Sequence, residues 1–251
     1  MAGIAGVLFF VFMIARVILA PDEGDTGDTA VAIAAKIHGH ATGILLDDWA
    51  GGIAALLFVG FAVGLAGALR DAGARRELPA LAVGGAVAVL SLASVQHALS
   101  ATLAFSVADG AQPALTRALF DLSTMVEATL HLPIALTLAA ASIAALRTGV
   151  LNRWLAYAGI GVAALSTAAA GALAHTGILA SGGPLSVLSL MTFLLWTLFA
   201  GHALLRPNPA GSAGALARGS RAEPMLDGGR APAAAATRGA SATAVATAAQ
   251  H

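Results

Sequence analysis

The chain has 251 residues, 58% of them hydrophobic and 10% charged, with a formal net charge of zero and a mean hydropathy of +0.85. Soluble domains carry about 25% charged residues, so much of this surface is built to face lipid, and a neutral chain excludes bulk attraction to nucleic acid or acidic substrates. There is no cysteine, which excludes disulfides, thiolate metal sites and cysteine nucleophiles.

Six apolar runs, at 4–20, 49–69, 81–105, 122–146, 155–174 and 187–205, predict an all-α polytopic bundle of six transmembrane helices over 1–206. Each of the last five is about 20 to 25 residues, enough for a helix to cross a hydrocarbon layer of roughly 30 Å. The first run lacks the charge order of a signal peptide. Its nearby cation, Arg16, follows the apolar core, and Pro21 follows the most plausible cleavage point at Ala20, so the run reads as a retained helix.

An outer segment at 21–48 joins the first two runs. Its acidic, turn-forming start (Pro21 to Asp28) does not follow the alternation of a calcium-binding EF-hand loop. Asp28 or Thr29 then caps a predicted helix over 30–46, with Val31, Ala34, Ile37 and Ala41 roughly on one face. Such a helix is expected to lie along the outer membrane surface before the second span begins near Trp49, a residue suited to the interface.

Basic residues set the orientation, because short loops rich in Lys and Arg stay on the cytoplasmic side. Arg70, Arg75, Arg76, Arg147, Arg153 and the arginines from Arg206 onward fall in one set of gaps, and Lys36, Arg117 and Arg16 in the other, a bias of ten to three. Both termini are therefore expected in the cytoplasm, in a multi-pass protein of the cell membrane whose partner is the bilayer. Residues 207–251, rich in Ala, Gly, Pro, Ser, Thr and Arg, are expected to be a disordered cytoplasmic tail. Gly60 and Gly64 have the small-xxx-small spacing that lets helix backbones approach, first within the chain and second in a homo-oligomer. No protein partner is readable.

Ionisable residues within spans are costly and are the first functional suspects. His97 lies about 17 residues, and His131 about 16, from the inner ends of their spans, so both are expected at a depth of roughly 25 Å. Glu127 precedes His131 by one turn, and Thr124 and Asp121 continue its face outward. Ser91, Ser94, His97 and Ser100 give the third span a polar side. The two spans are expected to pack antiparallel, placing His97 against Glu127 and His131, with His175 and Asp47 or Asp48 approaching from the sides.

Three readings of this cluster stay open. Glu127 and His131 can hydrogen-bond each other and Ser94 or Gln96, as packing between helices. They can pass protons, because a histidine beside a carboxylate titrates near neutrality. His97, His131 and Glu127 can also bind Zn²⁺, which takes three or four ligands at about 2.0–2.2 Å. Pro133 removes one helical bond beside the cluster and can kink the helix. His38 and His40 read as solvent-exposed, and His202 as distant in depth. Haem has only one candidate histidine pair, and the protease, nucleotide-hydrolase and serine-hydrolase motifs are absent.

The stretch from Ala118 to Leu122, with the later run from Ala141 through Leu146-Arg147-Thr148 to Trp154-Leu155, resembles small multi-pass membrane proteins of bacteria grouped as a domain of unknown function. The likeness covers about residues 4–206, rests on topological motifs, and brings no activity to transfer. Glu127 and His131 lie outside its pattern. The default functional expectation is thus a non-catalytic integral membrane protein without a cofactor. The alternatives are a small proton- or ion-coupled transporter and an intramembrane zinc-dependent hydrolase with His175 as a third histidine.

Overall fold

The computed structural model describes residues 1–21, 24–107, 112–171, 177–178 and 183–206, the side chains of 106 and 107 excepted. The expected tail at 207–251 and His175 lie outside the described residues. Six α-helices follow one another: α1 (Ala2–Leu19), α2 (Ala30–Asp71), α3 (Glu77–Thr102), α4 (Pro113–Thr148), α5 (Arg153–Ala169) and α6 (Pro184–Leu205). A π-helical turn, Leu103–Val107, extends α3. No strand occurs among the described residues.

Five of these helices are long and apolar enough to cross a membrane. The sixth, α5, has 17 residues, about 25 Å at 1.5 Å per residue, and the chain turns at Ala170 and Gly171. The expected span at 155–174 is therefore cut short within the described residues.

Local chemistry explains most of the helix ends. Thr29 Oγ1 accepts from the Ala32 amide at 3.3 Å, and Asn152 Oδ1 accepts from the Trp154 amide at 3.1 Å. Pro113 and Pro184 each sit at the first helical position, where a missing N–H is harmless. Gly149 adopts φ +73° and donates to the Ala145 carbonyl at 2.8 Å, closing α4 with a left-handed cap.

The outer segment differs from expectation. The helix begun at Thr29 does not stop at residue 46 but runs 42 residues to Asp71. No proline lies in that stretch, and continuing an existing helix is easier than nucleating a second one. Its buried face is Ile33, Ile37 and Ile44, packed with Leu103, Ala104 and Phe120, while Val31 is exposed. This part of α2 thus packs on the starts and ends of its neighbours instead of lying as a separate surface helix.

Helices adjacent in sequence are adjacent in space, α6 returns to α1, and α2 also touches α4. Gly3 lies against Gly201 and Leu205, and Gly64 against Ala2, so α1 runs antiparallel to both α6 and α2. Gly60 and Gly64 face Ala5 and Ala2, which makes their packing intrachain. Pro133 leaves α4 continuous; Thr137 Oγ1 donates to its carbonyl at 2.8 Å, and Gly85 of α3 fits against the same carbonyl. Phe58, Phe61, Leu65, Leu69, Leu138 and Leu194 are fully buried and fill the half of the bundle nearer Asp71. The other half holds a cavity.

Candidate functional site

The cavity has a volume of about 330 Å³ and is lined by α1, α2, α3, α4 and α6. Its apolar floor is a triad of Phe9, Phe58 and Phe193, with ring centroids 5.2 to 5.6 Å apart. From Phe9 it rises along α1 past Met13, Arg16 and Val17 to Ala20, about 11 residues or roughly 16 Å. Ser186 and Val187 line it at the start of α6.

Charged and polar groups crowd the upper half. Arg16 grips Asp47 with two donors: Nε meets Oδ1 at 2.9 Å and Nη2 meets Oδ2. Both side chains are largely withdrawn from solvent, at 19% and 17% exposure, and a two-pronged guanidinium–carboxylate pair is the stronger kind. Asp48 Oδ1 accepts from His97 Nδ1 at 2.9 Å, which ties α2 to α3. A carboxylate can only accept here, so the imidazole proton sits on Nδ1 and Nε2 is left toward Gly51. The second oxygen of Asp48 is buried without a hydrogen-bond partner among the described residues.

Gly51 is the hinge of this arrangement. A Cβ placed on it would come within 2.5 Å of both Arg16 Nη1 and His97 Nε2, so these two atoms are neighbours because residue 51 has no side chain. His131 reaches α6 instead of α3: its Nδ1 lies 3.3 Å from Ser189 Oγ, which lies 3.0 Å from Ser166 Oγ of α5. All three are buried, so one polar chain joins α4, α6 and α5. Glu127 lines the cavity, is exposed within it and has no hydrogen-bond partner among the described residues. Arg16 is close enough for its charge to act on Glu127.

The structure brings His97, Glu127 and His131 to one cavity, along with Asp47. It does not join His131 to Glu127, Ser94 or Gln96 in the expected packing network. Ser91 and Ser94 are exposed and bond the carbonyls of Val87 and Leu90, so these two serines do not join the cluster. Asp121 belongs elsewhere: it pairs with Arg117, one turn earlier, at 2.9 Å, and does not line the cavity. Among the described residues no group of three His, Cys, Asp or Glu side chains is placed to hold a metal ion. His97 and His131 each commit Nδ1 to another partner.

Arg16 and the Ser166–Ser189 pair escaped the sequence reading. Arg16 had a signal, as the sole cation within an apolar run of α1. The serines had none beyond lying in spans, because their contact joins helices far apart in sequence. No family model, curated protein or solved structure matches the chain.

Proposed function

We propose that this is an integral, multi-pass membrane protein that binds a small molecule in its cavity and exchanges protons there through Glu127, as a small proton-coupled carrier without covalent chemistry. The observation that carries this reading is the state of the charges around the cavity. From α1, Arg16 is held by Asp47 of α2; from α3, His97 is held by Asp48 of α2; on α4, His131 is held by Ser189 of α6. Glu127 alone among these titratable groups faces the cavity without a hydrogen bond. A carboxyl in that position gains most from a proton or a cationic guest, since an unpartnered charge within a membrane span is costly.

The charge pattern also supports an outward-facing cavity. The antiparallel packing puts Arg70, Arg75, Arg76, Arg147 and Arg153 at the end opposite it, all exposed and free of ion pairs among the described residues. The cations of the other end are half-buried and neutralised, Arg16 by Asp47, Lys36 by Asp28 and Arg117 by Asp121. Free cations are the ones that hold to an anionic cytoplasmic leaflet. Trp49 and Trp154, 68% and 71% exposed, stand toward opposite ends in the positions of two interfacial belts.

The test is proton flux in liposomes carrying the purified protein and an internal pH-sensitive dye. The parent protein is expected to dissipate an imposed pH gradient faster than empty liposomes, and Glu127→Gln to fall to the empty rate. A Glu127→Gln variant that conducts like the parent would remove Glu127 from the mechanism.

A further inference from the structure

The same cavity specifies a chemical class of guest, and this step rests on the reading of it as a binding site. We propose that the ligand is a small organic cation, a quaternary or protonated amine on an aromatic or branched apolar body. Its charge would lie at Glu127 and its body on the phenylalanine floor.

Charge remains in the cavity after the pairs are set aside. Arg16 with Asp47 is neutral as a pair, and Asp48 with His97 is neutral or negative according to whether the imidazole carries a second proton, never positive. Glu127 then adds a further carboxylate to the cavity wall, so the upper half is negative overall. A cation restores neutrality. An anion would have to prise Asp47 from a two-pronged guanidinium or lie against Glu127.

Arg16, the guanidinium that would repel a cation, is already engaged. Two of its three nitrogens are turned to Asp47, and Nη1 is held toward Met13 Sδ at 4.0 Å, beside His97 at Gly51. The guanidinium is therefore committed to the α1–α2 side of the cavity, where Asp47 offsets its charge.

The floor is aromatic: Phe9, Phe58 and Phe193 line it, with the Phe58 and Phe193 rings nearly perpendicular at 86°. Aromatic faces attract organic cations, worth about 0.5–2 kcal/mol according to desolvation, and give nothing comparable to an anion. A volume of about 330 Å³ suits a guest at the small end of the usual range of small-molecule sites, roughly 300–1,000 Å³.

The exchange balances without another reactant. Glu127 in its protonated form gives its O–H proton to water as the cation enters, and takes one back when the cation leaves. No bond other than that O–H is made or broken.

The experiment uses the full chain in lipid nanodiscs and three probes: benzyltrimethylammonium, its neutral isostere neopentylbenzene, and phenylacetate. Calorimetry or ligand-observed magnetic resonance should show the cation binding at least about tenfold more tightly than the isostere, with phenylacetate weakest. Proton uptake by buffer should accompany cation binding, to as much as one proton per cation. Glu127→Gln should bring cation and isostere together, and Glu127→Asp should keep them apart. The comparison within the parent protein needs no variant to fold. Equal affinity for cation and isostere, tighter binding of phenylacetate, or no binding of any probe by a protein whose proton flux depends on Glu127 would each overturn the ligand class while leaving the carrier reading in place. Selective cation binding without any Glu127-dependent proton flux would do the reverse.

Discussion

Gly51 and Ser189 show how single positions hold the site. A methyl group at residue 51 would occupy the space in which Arg16 Nη1 and His97 Nε2 meet, and neither neighbour has free room, since each is anchored to an aspartate. Gly51→Ala is expected to cost about 1–3 kcal/mol of stability through overpacking, and to weaken cation binding by moving Arg16 toward Glu127. Ser189→Ala acts differently. It removes the hydroxyl between His131 and Ser166 and leaves two buried polar groups without a partner, at a cost of about 1–3 kcal/mol, most of which a second change, Ser166→Ala, should not add to. Thermal unfolding of the three variants in one detergent checks both claims. Equal additive losses for the two serines would mean that no shared chain exists.

In the turn before α2, Asp28 shows the same logic at the protein surface. Its carboxyl is held below the usual range first by the Asp25 amide and then by the Lys36 ammonium. The sign follows from that depression: the contribution to folding is complete above the ordinary aspartate pKa of 3.8 and is lost as pH falls through the lower folded value. Carbon-detected titration of Asp28 should give a midpoint below 3.8, and Lys36→Met should move it upward while leaving the part due to the Asp25 amide.

Among the elements, α2 carries the largest departure from what its sequence suggests. Apolar runs of about 20 residues bounded by charge or glycine marked out the helices that are long and apolar enough to cross a membrane, because length and hydropathy decide that property almost alone. Whether an amphipathic segment next to such a run bends away or continues it depends on what packs beside it. Ile33, Ile37 and Ile44 find Phe120 and Leu103, and the helix goes on. That His97, Glu127 and His131 share one level of the bundle was readable from rise per residue; Asp121 was expected on the same face, and its position four residues after Arg117 was the signal for its other pairing. The partners Arg16, Asp48 and Ser189 are tertiary facts, set by which helices become neighbours. Arg117 also ties α4 to the start of α2, donating to the carbonyls of Asp28 and Thr26, each at 2.7 Å. Removing it should therefore loosen a helix end about 90 residues earlier, given the sequence separations of 89 and 91. Hydrogen exchange over residues 26–33 is expected to rise in Arg117→Ala and in Thr29→Ala, the latter by loss of a cap worth about 1 kcal/mol. Unchanged exchange in Arg117→Ala would show that the isoleucine face alone holds this end.

For the molecule as a whole, the proposal about function depends on which way the bundle is threaded. The natural chain has no cysteine, so a single introduced thiol reports its own side of the membrane without background. Ala72 and Ala35 are both exposed and lie toward opposite ends of α2, the first in the turn beside Arg75 and Arg76, the second in the part that extends past Asp47. Neither substitution touches an ion pair or a buried contact, and a small residue replaces a small one. An impermeant maleimide added to intact cells is expected to label Ala35→Cys and to spare Ala72→Cys until the membrane is permeabilised. Changing Arg70, Arg75 and Arg76 together to glutamine should weaken that bias, because these are free cations. Changing Arg117 to glutamine should not strengthen it in the same measure, because its charge is already offset by Asp121. If the labelling were reversed, the cavity would face the cytoplasm. Glu127 would then take its proton and its guest from inside, and the direction of any coupled movement would invert with it.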